Sequence, residues 1–380
     1  MKQDKINICH VLTRLDIGGM ENGVVNLCNG LDRNRFNPMI ACIHATGPMA
    51  SRLLPDVRVI DLQYPEGFHM GNIVRLVRFF KLNNVHIVHN HAWGGGSFYG
   101  ILGARIARVP AVINGEHGIF FDKPHQVLAQ RVLFYLCDAN LSVSETLKAK
   151  TNKILGVPLH KIQVIKNGVD TTKFSGSSAV SQVLLRLKED GFFLDDRYFV
   201  IFSIGSLKPD KAQMRLLRAA KRIRKIEPEN SIKYVFIGDG VDRASLLSFV
   251  EKEGLDESVV FLGHRSDVPE LLSIADVLVS TSMDEGLSNV MLEAMSSGIP
   301  IIATKSLGTA ELITDGIDGF LVEQEDEVQL SEVILKLYRD NSLLTKMGSN
   351  ARELIYVRYS IERMVQGYER IYSSLMAAKQ

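Results

Sequence analysis

The chain reads as an α/β protein built from two doubly wound parallel sheets, for three reasons. Short β-branched runs alternate with longer amphipathic stretches, the pattern of parallel strands joined by right-handed helical crossovers. The alternation comes in two series, parted by a Ser-rich stretch that opens at Ser175. The length of 380 residues exceeds what one hydrophobic core usually organises.

In chain order, the first series predicts strands at residues 6–12, 39–43, 85–89, 111–114 and 141–143, and the second at 198–204, 234–237, 259–262, 277–281, 299–303 and 320–322. The run at 6–12 is too short to span a bilayer and is closed by Thr13 and Arg14, so it is a first buried strand. These series predict an N-terminal domain over 1–174 and a C-terminal domain over 175–355. Residues 356–380, with Tyr359, Met364, Tyr368, Ile371 and Leu375 at helical spacing, form a last helix expected to pack back toward the N-terminal domain. Two such sheets facing one another bring the carboxyl ends of their strands, where ligands bind in this architecture, to one cleft.

Hydrophobic residues make up 46% of the chain and charged residues 23%, which excludes a disordered class. Four cysteines without a CxxC pair, and no stretch resembling a secretory signal, predict a reducing, cytoplasmic address. Residues 1–170 carry 19 Lys/Arg against 12 Asp/Glu, a net of +7, while the remainder carries −6. That asymmetry suggests an anionic partner for the N-terminal half. Nucleic acid is disfavoured by the lack of any helix-turn-helix, zinc-finger or RNA-binding signature. Residues 72–82 place Arg75, Arg78 and Lys81 beside a broad apolar face, so peripheral contact with an anionic membrane is an expectation, set against the commoner reading of a crossover helix.

The strongest motif follows the strand at 277–281 and runs from Ser282 to Met295. Ser288 or Asn289 is placed to cap a helix whose amides point back at the loop, an anion site. Gly286 allows close backbone approach, and Leu287 beside it is counted in the same binding loop. Two carboxylates flank it: Glu285 suits hydrogen bonds from sugar hydroxyls, and Glu293, one turn into the helix, suits a ribose pair.

Glu285 and Glu293, separated by seven residues, resemble the signature of glycosyltransferase family 4, retaining enzymes of the GT-B fold. The resemblance spans nearly the whole chain through Gly18-Gly19, Gly115-Glu116-His117-Gly118, Val143-Ser144, Asn167-Gly168-Val169-Asp170, Gly238-Asp239-Gly240, Phe261-Leu262-Gly263 and Gly298-Ile299-Pro300. It implies a retaining, metal-independent transfer from a nucleotide-diphosphate sugar to a saccharide or lipid-linked acceptor in polysaccharide or glycoconjugate synthesis, with no cofactor. It makes Lys211 the cation on the leaving diphosphate and Gly205 part of the same donor loop. Ser206 stands where many members have arginine, leaving Lys208 as a candidate substitute. His117 matches the histidine beside the donor sugar, and Gly18 and Gly19 the first glycine loop.

His89 and His91 would share a face of an extended strand and, with His117, invite a metal reading. Without a nearby Asp or Cys the set is incomplete, so His91 and Trp93 are expected to face the acceptor, with no metal site. Other classes fit less well: an epimerase lacks further acid/base groups, a phosphorylase a pyridoxal site, and a dehydrogenase the GxGxxG loop. A non-catalytic sugar-nucleotide-binding protein of the same fold is the remaining alternative.

Overall fold

The computed structural model describes residues 5–64, 69–91, 95–117, 123–174, 180–195, 197–283 and 287–379. The chain divides into two compact units: residues through Gly168 together with Ile361 onward, and Val169–Ser360.

The first unit is a seven-stranded sheet of β1 (Ile6–Arg14), β2 (Phe36–Ala45), β3 (Arg58–Asp61), β4 (Ile87–His91), β5 (Ala111–Glu116), β6 (Ala139–Ser142) and β7 (Ile162–Val164). The order is β3-β2-β1-β4-β5-β6-β7, with every pairing parallel. Two of these strands, β3 and β7, have no counterpart in the sequence reading. Both are short edge strands, and β3 is exposed at Arg58 and Asp61, so neither presents an apolar run.

Alternation along the strands sends residues to two different helical layers. Cys9, Val11, Val88 and Val112 pack with Ile73, Leu76 and Phe80 of the helix Met70–Leu82 and with Ile101 and Ala104 of Gly95–Ala107. Ile8, Ile87, Ile113 and Leu141 meet Met364, Val365, Tyr368 and Tyr372 on the opposite face. Those four belong to the helix Ile361–Ala377, which packs within the first unit although it ends the chain. Gly30 is part of the reason it fits: a Cβ there would lie 2.7 Å from Cγ2 of Val365.

The expected single helix over 356–380 is instead two. The helix Asn341–Arg358 ends at Tyr359, whose carbonyl accepts from the Val169 amide at 2.8 Å, and a new helix starts at Ile361. Val169 and Phe174 lie in the second unit's core, so that unit begins before residue 175.

The second unit holds β8 (Phe199–Ile204), β9 (Ile232–Ile237), β10 (Val259–Gly263), β11 (Val277–Ser280), β12 (Ile301–Thr304) and β13 (Gly319–Val322), in the parallel order β10-β9-β8-β11-β12-β13. Phe202, Val235, Leu278, Ile301 and Ala303 face one apolar layer, and Ile201, Tyr234, Phe236, Val277 and Ile302 the other. Where β8 and β9 end, backbone packs on backbone. The Leu207 amide donates to the Asp239 carbonyl at 3.0 Å, and a Cβ on Gly238 would sit 2.0 Å from the Gly205 carbonyl oxygen. Gly238 also holds φ 138°, a region side chains rarely adopt. Gly238→Ala therefore has to push the two loops apart. It is expected to destabilise the protein by about 2 kcal/mol or more, read as a lowered urea midpoint with an unchanged slope.

Candidate functional site

In the second unit, the residues singled out for the donor cluster at the carboxyl ends of β8 and β11. Gly205 follows β8 at φ 149°. Lys211 closes the 3-10 turn Pro209–Lys211 at intermediate burial. Two hydrogen bonds tie this turn to the chain leaving β11: Thr281 Oγ1 donates to the Lys211 carbonyl at 2.8 Å, and the Met283 amide donates to the Asp210 carbonyl at 2.9 Å. The β11 loop is itself anchored, since Thr304 Oγ1 donates to the Ser282 carbonyl at 2.6 Å and Gln324 Nε2 to the Met283 carbonyl at 2.7 Å. Glu285 and Gly286 lie outside the described residues, as do Trp93 and Gly118.

Beyond that gap, Leu287 is buried in the core and anchors the start of the helix Asn289–Ser296. Ser288 occupies the N-cap position, as expected, but its hydroxyl makes no capping hydrogen bond. Met291, Leu292, Ala294 and Met295 are buried, whereas Glu293 keeps intermediate exposure, so the helix buries its apolar residues and leaves this carboxylate at the edge of the core. Lys208 is exposed at the start of the 3-10 turn, and the Ser206 carbonyl accepts from Gln213 Nε2 at 3.0 Å.

Ala212 holds φ 47°, a left-handed conformation unexpected at an alanine. A cavity of about 600 Å³ borders the same turn, lined by Pro209, Gln213, Arg215, Asp242 and Glu325 among others. None of Leu287, Ser288, Asn289 or Glu293 lines it.

In the first unit, Gly18 sits at the N-cap of the helix Gly19–Gly30 with extended backbone, and a Cβ there would meet Glu21 Oε2 at 2.2 Å. Glu21 lies in the helix's first turn, and burial raises its pKa above the ordinary carboxylate value.

His91 is buried in β4, and His117 directly follows β5. Register places His10 of β1 beside His89, and His91 beside Gly115. His10 Nδ1 lies 3.0 Å from His91 Nε2, and His91 Nδ1 lies 3.1 Å from His117 Nε2. His89 Nδ1 contacts the Tyr372 hydroxyl at 2.8 Å. His10 is the member the sequence reading missed, because only the β1–β4 pairing brings it next to a residue 79 positions away. A metal would find its ligands among His10, His89 and His91, whose nearest ligand atoms lie within 4.8 Å of one another, rather than among His89, His91 and His117.

Burial keeps all four rings neutral. It lowers His10 from 6.5 to about 3 and His117 to about 4, and with neighbouring histidines it holds His89 and His91 well below the ordinary value. Between the depressed folded values and about 6.5, the unfolded chain binds more protons than the folded one, so stability rises with pH through this window and is lost as pH falls. Thermal unfolding midpoints are expected to drop between about pH 7.5 and pH 5.5, with a shallower drop for His10→Phe, which removes one of the four neutral imidazoles.

Residues 17–173 match Glycosyltransferase Family 4, and residues 188–354 match Glycosyl transferases group 1. The chain is 28% identical over 388 aligned residues to the UDP-Gal:alpha-D-GlcNAc-diphosphoundecaprenol alpha-1,3-galactosyltransferase of Escherichia coli, covering 99% of this chain and 98% of that protein. It is 33% identical to EpsD, a protein assigned as a glycosyltransferase in Bacillus subtilis (strain 168), over 76% of this chain and 77% of the relative. Among solved structures, a glycosyltransferase from Rickettsia africae ESF-5 superposes with TM-score 0.86 at 18% identity, covering 98% and 99% of the two chains. Anabaena Alr3699/HepE in complex with UDP superposes with TM-score 0.82 at 21% identity, covering 98% and 100%. The fold is GT-B, and the chain belongs to the group 1 glycosyltransferases of family 4.

Proposed function

We propose that the protein transfers a sugar, with retention of anomeric configuration, from a nucleotide-diphosphate sugar to a saccharide or lipid-linked acceptor in the synthesis of a cell-surface polysaccharide or glycoconjugate. The observation that carries this reading is the pair of hydrogen bonds holding the Lys211 turn against the chain that leaves β11 and runs on in sequence to the helix Asn289–Ser296. A cation and a helix N-terminus tied to the same strand end suit a leaving diphosphate. The Escherichia coli relative, named for UDP-Gal and a diphosphoundecaprenol-linked acceptor, supports a uridine donor and a lipid-linked acceptor.

In this mechanism the bond from the anomeric carbon to the phosphate oxygen breaks, leaving positive charge on the sugar and negative charge on the diphosphate. Lys211 and the amides of the helix's first turn stabilise the leaving diphosphate, and Gly205 and Gly286 let backbone approach it. Gly18 and Gly19 line the donor in the same manner. Glu293 accepts hydrogen bonds from the ribose hydroxyls, Glu285 accepts them from the sugar, and His117 hydrogen-bonds a sugar hydroxyl near the reacting carbon. The acceptor hydroxyl attacks from the face the leaving group vacates, and its proton passes to the departing phosphate oxygen. Glu116, the carboxylate nearest His117 in sequence, is buried in β5 and by strand alternation projects to the face opposite Gly115 and His117, which disfavours it as a nucleophile. Neither a metal nor a cofactor takes part. His91, expected on the acceptor side, is instead buried in β4 with one ring nitrogen against His10 and the other against His117, so it does not itself meet an acceptor.

Turnover of UDP-, GDP-, ADP- and TDP-sugars without added metal is expected to select one donor base. Lys211→Ala and Glu293→Ala should each reduce turnover about 100-fold or more, while Lys208→Ala shows whether that exposed lysine shares the phosphate load. The product should keep the donor's anomeric configuration with no glycosyl-enzyme adduct in the mass spectrum; an adduct excludes front-face attack.

Among the described residues, no helix is long and apolar enough to cross a membrane. We propose that the protein works in the cytoplasm and touches the inner membrane face through its basic first unit. Arg75, Arg78 and Lys81 are exposed on the helix Met70–Leu82, as are its apolar residues Met70, Val74 and Leu82. Sedimentation should be greater with anionic than with neutral liposomes and should weaken at high salt; equal sedimentation with both excludes the contact.

A further inference from the structure

We propose that His10 and His91 are positioning residues that set the tautomer of His117, through a continuous chain of ring-nitrogen contacts running from β1 through β4 to the end of β5. The proposal rests on the reading of His117 as the group that faces the sugar.

A neutral imidazole has one N–H and one lone pair, on opposite sides of the ring. The contacts His10 Nδ1 to His91 Nε2 and His91 Nδ1 to His117 Nε2 can therefore both be hydrogen bonds in only two ways. If the hydrogens point toward His117, His10 and His91 are protonated on Nδ1, His117 Nε2 accepts, and His117 carries its own hydrogen on Nδ1. If they point away, His117 donates from Nε2, His91 donates from Nε2, and His10 is left with its hydrogen on the far nitrogen.

The far end of the chain decides between them. His10 is fully buried, and its Nε2 has no hydrogen-bond partner. The second arrangement strands an N–H there, the least tolerated kind of buried polar group, whereas the first leaves only a lone pair unused. The chain thus runs toward His117 and holds it as the Nδ1–H form, a neutral donor with fixed direction toward a substrate oxygen.

The surroundings keep this arrangement in place. Gly115 has no side chain, and a Cβ there would crowd His89 Nε2 at 3.0 Å while reaching only ordinary contact with His117 Nε2 at 3.5 Å. His89 packs against His91 with ring centroids 4.1 Å apart and is itself pinned by the Tyr372 hydroxyl. The last helix thereby braces a chain that ends beside the sugar-facing histidine.

The competing occupant is a divalent cation held by His10, His89 and His91. Its binding would consume the lone pairs the chain needs.

The test is the ring-nitrogen NMR spectrum of the full-length protein labelled with nitrogen-15 at histidine, with His117 assigned from His117→Gln. The expected result is a His117 protonated on Nδ1 in the wild type. In His91→Phe the same signals should move to an Nε2-protonated or mixed state, with kcat down roughly 10-fold and donor KM nearly unchanged. A wild-type His117 protonated on Nε2 overturns the proposal, as does a tautomer unmoved in a folded His91→Phe. About one equivalent of tightly bound zinc in the purified protein overturns it too. The tautomer is read without turnover: the expected spectrum together with unimpaired activity in His117→Gln would refute the role given to His117 while leaving the histidine chain standing.

Discussion

Parallel strand pairing is the constraint on which the rest of this structure depends. When every strand of a sheet runs the same way, every crossover returns to the same edge, and every loop that follows a strand opens at the other. In the second unit this places the segments after β8, β9 and β11 side by side although they are separated by tens of residues in the chain. In the first unit it sets β1, β4 and β5 side by side, and with them His10, His91 and His117.

Strand ends alone do not make a site; they must be locked together without bulky side chains between them. Gly238 serves this purpose through direct approach to the Gly205 carbonyl, and Thr281, Thr304 and Gln324 do so through hydrogen bonds to carbonyls. A turn held through its backbone carbonyls does not depend on its side chains for its position, which suits the role proposed for Lys211. In the first unit the locking group comes from the far end of the sequence, where Tyr372 reaches His89 across the sheet face that its helix covers.

The sequence made the two-sheet architecture legible because buried parallel strands are continuous β-branched runs, and those at β8, β9 and β11 stand out with little ambiguity. Edge strands such as Arg58–Asp61 are half-exposed and too short to show a period, so they emerge only from pairing. The break near Tyr359 was hidden for a similar reason: helical spacing continues across it, and what ends the first helix is the Val169–Ser360 bridge, not a proline or glycine.

Candidate site residues were legible where they follow strand ends in short motifs, as with Lys211, Ser288, Glu293 and His117. His10 was not legible, since a single histidine inside an apolar strand looks like any other core position. Local sequence determined the strands, the glycine turns and the acidic and basic residues near them, because those depend on neighbours within a few positions. Only the tertiary structure decided that His10, His91 and His117 form one chain and that the final helix starts anew at Ile361. Both depend on which strands and faces meet, and that pairing is set by burial summed over the whole core rather than by any local segment.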